Sequence, residues 1–160
     1  MIRYLLPLGF AGLLFFQNAL GAAPVGAPTL GTGDAFPPFQ AEDQHGQAYT
    51  FEPGTRAVLI AFEMSAAKAG NHYLAAQPAG FLDDHHAVWI TDIYGMPGIG
   101  RHFALPKMRK YPQRIILADG KDLLAPFPRQ DDRVTVLALD GNGMIRSVGY
   151  WNPEEALTFP

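Results

Sequence analysis

The densest group of side chains able to bind or catalyse in this sequence is Asp83-Asp84-His85-His86. Adjacent histidines beside carboxylates can hold a divalent cation, and Asp84, His85 and His86 are the candidates. The run lacks the i, i+4 spacing that puts two imidazoles on one helix face, and a solvated polar loop accounts for it better. A second group is Glu63, Ser65 and His72. A serine nucleophile needs a base within hydrogen-bond reach. Residues 65 and 72 of one helix lie about 10 Å apart along its axis, so Ser65 reads as a helix N-cap. Glu63 follows an apolar run, where a half-buried carboxylate with a raised pKa could move protons; a solvated strand-end residue is the simpler reading. In the third group, Gly95, Gly98 and Gly100 precede Arg101 and follow Asp92. Exposed N–H groups in such a turn could hold an anion, since ligands of α/β sheets gather at the carboxyl ends of strands. The spacing is not the dinucleotide fingerprint and Pro97 removes a donor, which favours a structural turn. Asp140-Gly141-Asn142-Gly143 lacks the further ligands of a calcium loop and reads as a hairpin turn.

The missing residue type is as informative. The sequence contains no cysteine. Thiol–disulfide exchange and thiol-based peroxide reduction therefore have no nucleophile.

The elements that must position these groups alternate between strand and helix. Short strands over 39–43 and 48–51 flank a turn at 44–47, giving a hairpin. Residues 58–62 form an apolar strand, followed by a tight turn and an Ala-rich helix that ends before Pro78. Residues 77–86 read as a polar loop. A strand over 87–93 leads into the glycine-rich turn. An amphipathic helix spans 101–110, broken or restarted at Pro106. Further strands fall at 114–118, 134–139 and 144–150, the last two closing a hairpin. Asn152-Pro153-Glu154-Glu155 reads as a helix start, with a cap, Pro at the first helical position and acids at the positive dipole end. The pattern implies an α/β sheet with parallel members and an antiparallel edge.

Three stretches carry a resemblance. They are Phe39-Gln40-Ala41-Glu42-Asp43-Gln44-His45-Gly46, Val58-Leu59-Ile60-Ala61-Phe62, and Val136-Leu137-Ala138-Leu139-Asp140-Gly141-Asn142-Gly143-Met144-Ile145. In this order they resemble the thioredoxin-like superfamily, in its peroxiredoxin-like and periplasmic thioredoxin-like branches. The resemblance covers residues 34–150. It implies a three-layer sandwich with an N-terminal β-hairpin, a mixed central sheet and a C-terminal β-hairpin. In that superfamily the turn here occupied by residues 63–68 is the active site, and a cysteine does its work. A proline that normally faces this turn appears here as Val134, preceded by Arg133. The binding candidates implied are Glu63, Ser65, Asp92, Gly98, Gly100, Arg101 and Arg133. Residues 67–71 and 90–92, with the turn that follows, are similar to exported thioredoxin-like proteins that also lack the cysteine pair.

Residues 1–23 have the three-part plan of a secretory signal peptide: Arg3, an apolar run over 5–16, and small residues around Gly21. Cleavage is expected after Gly21, which leaves residues 22–36 as a flexible linker and 37–160 as the domain. Removing Arg3 leaves 11 basic against 15 acidic residues, a formal charge of −4. Such a chain has no general attraction to nucleic acid. Five of the bases fall within residues 101–114: Arg101, Lys107, Arg109, Lys110 and Arg114. That asymmetry suits an acidic partner, anionic lipid or a plain solvated face. The expectation is a periplasmic, non-catalytic binding domain without a cofactor or a lasting membrane anchor, whose partner is an envelope protein or a second copy. The alternative is a metal- or anion-binding protein, or a non-thiol enzyme, using the His85/His86 loop or the Gly95–Arg101 turn.

Overall fold

A computed structural model describes residues 29–159. The signal-peptide reading lies outside the described residues, as does the first part of the expected linker, residues 22–28. Ten elements follow in chain order. They are β1 (Gln40–Asp43), β2 (Ala48–Thr50), β3 (Ala57–Ala61), α1 (Met64–Ala75), α2 (Phe81–Asp84), β4 (Ala87–Asp92), α3 (Gly98–Met108), β5 (Ile116–Ala118), β6 (Val134–Leu139) and β7 (Ile145–Trp151). All seven strands join one mixed sheet in the order β2-β1-β5-β4-β3-β6-β7. Strand β3, inside the sheet between β4 and β6, is five consecutive apolar residues, all buried. A strand covered on both faces reads as such a run instead of alternating.

Strands β3, β4 and β5 are parallel neighbours, joined through α1 and α3. Both crossovers step across the sheet in one direction. Right-handed connection then puts both helices on the same face. Packing agrees. Leu59, Trp89, Ile115 and Val136 meet Ala66, Ala67 and Leu74 of α1 and Met108 of α3. The opposite face, with Val58, Ile60, Ile90 and Leu137, is covered by Phe36, Phe39, Leu124 and Phe127, none of them helical. Irregular chain therefore makes the third layer. Part of it is the expected linker, because residues 29–36 dock beside β7. Gly33 donates to the Ile145 carbonyl (2.8 Å), Phe36 donates to Gly143 (2.8 Å), and the Phe36 ring stacks on Phe51 at 4.3 Å.

The helical face turns on Trp89, which is 1% exposed. Its indole lies across α1 where the helix carries Gly70. A Cβ at position 70 would sit 2.6 Å from a Trp89 ring carbon. Next to it, the buried Asn71 Oδ1 accepts the indole N–H at 2.9 Å and a Gln113 amide N–H at 3.2 Å. One asparagine thus joins α1, β4 and the approach to β5. A parallel set of contacts ties the N-terminal hairpin to β5. Gln44 donates to the Gln113 carbonyl (2.8 Å) and accepts from the Ile115 N–H (2.8 Å). Asp43 accepts from the His45 and Gln47 N–H groups and from Arg114 at 3.0 Å. Burial alone would push the Asp43 carboxyl up; those donors outweigh it and hold the pKa below the ordinary value.

Several boundaries differ from expectation. Helix α1 is capped by the extended Glu63, without a side-chain cap bond, and Ser65 lies inside it. The 77–86 loop contains α2, which buries Leu82. Helix α3 begins at Gly98 and continues through Pro106. The carbonyl that loses its partner there belongs to His102, which is exposed and open to water. No helix follows Asn152. Residues 152–155 make a turn in which the Trp151 indole donates to the Glu155 carbonyl at 2.9 Å. The tail then crosses the helical face: the Leu157 N–H donates to the Tyr73 hydroxyl, and the Phe159 ring stacks on His85 at 4.2 Å. These tertiary contacts hold the backbone out of the helix its cap would start.

Two outcomes are expected. An exposed helical Gly→Ala change would gain about 1 kcal/mol in propensity, but Gly70→Ala overpacks Trp89 at a cost of about 1–3 kcal/mol. Urea unfolding of Gly70→Ala should show no gain and a net loss of up to about 2 kcal/mol. For Asp43, the folded pKa is lowered, so its stabilising contribution is complete above the unfolded carboxyl value near 4. It is lost as pH falls through the folded value. Unfolding midpoints should therefore drop below about pH 4, and Asp43→Asn should be less stable at neutral pH with a flatter acid limb.

Candidate functional site

Parallel strands end together, so Phe62, Asp92 and Asp119 stand at one pole of the sheet. Strand β6 runs antiparallel to β3 and starts there, with Val134 opposite Ala61. The loop before β6 therefore faces the first turn of α1. Asp132, at φ +56°, donates its N–H to Glu63 Oε2 at 3.2 Å, and its own carboxylate lies 3.4 Å from the Ser65 hydroxyl. Glu63, Ser65 and Asp132 are all exposed. They link the α1 turn to the 130–133 loop at the solvent-exposed surface. Arg133 sits in this loop, half-exposed, with its N–H donating to the Gln130 carbonyl at 3.3 Å.

The expected anion-binding turn is organised differently. Gly98 and Gly100 belong to the first turn of α3. A Cβ at Gly100 would stand 3.2 Å from Met96 Cγ, so a side chain there would press on Met96. The Arg101 guanidinium turns back onto the protein. It donates to both Asp119 oxygens (2.5 and 2.6 Å) and to the Ile93, Tyr94 and Met96 carbonyls (2.9, 3.2 and 3.2 Å). Five donor contacts pin the β4–α3 turn and leave little for an anion. Asp92 accepts from the Tyr94 N–H at 2.9 Å and orders the same turn.

The Asp84, His85 and His86 side chains do not converge. His85 Nδ1 lies 2.8 Å from the Phe81 carbonyl, and its ring packs between Phe81 and Phe159. His86, at φ +47°, opens β4. Among the described residues no three His, Asp or Glu side chains group closely enough to hold a metal ion. Asp140 receives the Asn142 and Met144 N–H groups and pairs with Arg146 at 2.9 Å, as a hairpin turn requires.

Two clefts are open. One of about 950 Å³ lies at the amino pole, lined by Tyr49, Arg56, His86 and Arg114 among others. Burial, with Glu52 nearby, pushes the Tyr49 hydroxyl up to about 12. The other, of about 550 Å³, lies at the carboxyl pole between Phe62, Asp92, Lys121, Phe127, Arg129 and Tyr150. It is the smaller, but it occupies the pole where sheets of this kind bind ligands.

Among the described residues the exposed large apolar side chains are Met64, Tyr94, Ile99, Phe103 and Tyr150. All five sit at or beside that same pole: the start of α1, the β4–α3 turn, the first turns of α3, and the part of β7 opposite the start of β6. Sequence reasoning did not single them out. The available signal was the i, i+4 pair Ile99 and Phe103, but both positions also fit a helix face turned toward the core.

Solved structures share this architecture. The thioredoxin domain of a thiol-disulfide oxidoreductase from Bacteroides vulgatus is similar at a TM-score of 0.54 and 17% identity, over 78% of this chain and 93% of that one. The fold is thioredoxin-like. A structure described as a DsbE thiol:disulfide interchange protein from Chlorobium tepidum gives 0.56 at 12% identity, over 79% and 90%. A peroxidoxin from Mycobacterium tuberculosis gives 0.51 at 14%, over 76% and 86%. No family model matches the sequence, and no curated protein matches it significantly. These identities carry the fold alone. The thioredoxin-like turn is thus present here as Glu63-Met64-Ser65 in a sequence without a thiol.

Arg101→Gln tests the assignment of this arginine to structure. It should lower the unfolding midpoint and speed amide exchange over residues 94–98. Inorganic phosphate should leave the wild-type amides of residues 95–101 unshifted in an NMR titration; saturable shifts there would restore the anion-site reading.

Proposed function

We propose that this protein is an exported, thioredoxin-fold binding domain that engages an envelope protein through the carboxyl pole of its sheet without redox chemistry. The observation that carries this reading is the gathering of the exposed large apolar side chains at that pole. Scattered singly, such residues need no explanation, but five at one pole of the sheet suit an interface. The neighbouring cleft between Phe62, Phe127 and Tyr150 has the size of a site for one or two partner side chains. Lys121 and Arg129 at its rim favour a partner segment with a carboxylate. Export to the periplasm rests on the charge and hydropathy plan of residues 1–23. The alternative anion site at residues 95–101 is disfavoured by the engagement of Arg101.

Site-specific photo-crosslinking in cells tests this reading. A crosslinker at Met64 or Tyr150 should trap one discrete protein, and a crosslinker at Asn142, exposed at the opposite pole, should not. Met64→Asp should abolish the Tyr150 adduct. Equal capture from Asn142, or no adduct from either pole position, would count against the proposal.

A further inference from the structure

Helix α3 has an outer face unlike the rest of this acidic protein. Residues 95–118 contain no acid. Ile99 and Phe103, four residues apart and so on one side of the helix, are 74% and 62% exposed. Pro106 and Lys107 continue the same side, Lys110 is exposed in the turn just after the helix, and Met108 and Leu105 turn to the sheet. Among the described residues Lys107 and Lys110 have no acidic partner, whereas Arg101 and Arg114 are paired with Asp119 and Asp43. Neither the 950 Å³ nor the 550 Å³ cleft is lined by any residue of α3. Helix α3 is also too short to cross a bilayer, and no helix among the described residues is long and apolar enough to do so.

We infer that the outer face of α3 is a reversible docking surface for an anionic phospholipid bilayer. Ile99 and Phe103 enter the boundary between headgroups and acyl chains, and Lys107 and Lys110 meet lipid phosphates. Apolar side chains rimmed by lysines are the pattern of interfacial membrane contact. A bilayer adapts to the shape of the helix face it meets, whereas a protein partner would need a complementary surface. The positive charge of this face also complements an anionic surface, although the whole chain is negative. Ile99 and Phe103 also belong to the apolar set at the carboxyl pole that supports the protein-binding reading. The vesicle test below uses no protein partner, so either reading can fail without the other.

Vesicle co-sedimentation decides the matter. Residues 22–160 should bind vesicles of phosphatidylglycerol mixed with phosphatidylcholine, and should not bind phosphatidylcholine alone. Binding should weaken as salt is raised. Each lysine near an anionic surface is worth about fivefold in affinity, so Lys107→Glu with Lys110→Glu should reduce binding by at least about tenfold. Ile99→Ser with Phe103→Ser should remove it while leaving the melting temperature unchanged, because both side chains already face solvent. If wild-type protein ignores anionic vesicles, the inference fails. It fails equally if binding survives Ile99→Ser/Phe103→Ser, or if that pair of changes instead dissolves a dimer of a protein that does not bind vesicles.

Discussion

Trp89 against Gly70 is the contact on which this structure rests. The indole fills the space between sheet and α1, and it fits because the helix has no Cβ there. Its single polar atom is satisfied by Asn71, so the indole N–H is not left unpaired in the core. Asn71 also receives Gln113, whose backbone carbonyl receives Gln44. Through that chain of contacts the position of α1 is coupled to β4, β5 and the N-terminal hairpin. Since α1 begins at the carboxyl pole, the same contacts fix where Glu63, Met64 and Ser65 stand.

The pole they organise has the geometry of a thioredoxin-like turn with different contents. A carboxylate, a thioether and a hydroxyl occupy the turn, and Asp132 faces them from the loop before β6. These groups are exposed and make contacts with one another or with backbone. Arg101, the strongest cation nearby, is held by Asp119 and three carbonyls. What remains available is apolar surface and a cleft. That combination supports recognition better than it supports chemistry.

Much of the fold was legible in the sequence, for identifiable reasons. Residues 57–61 and 134–139 are apolar runs that only doubly covered strands tolerate, and Asp140 to Gly143 carries the turn chemistry of a hairpin. The failures came where distant contacts override local signals. The Asn152-Pro153 start should propagate a helix, but Tyr73 and His85 capture the tail. Residues 29–36 look like linker, yet Phe36 is core. Arg101 looks like a free cation because its partner, Asp119, is 18 residues away. The exposed apolar group was illegible for a similar reason. Met64, Ile99 and Tyr150 reach the same pole only through the strand order, and no local pattern tells an outward apolar helix residue from an inward one.

Hydrogen exchange of the purified protein with and without a detergent extract of the envelope tests the central claim most directly. The account predicts added protection over residues 63–68, 94–103 and 148–151, with residues 52–56 and 140–143 at the amino pole unchanged. Protection confined to the amino-pole cleft, or spread evenly over both poles, would contradict it.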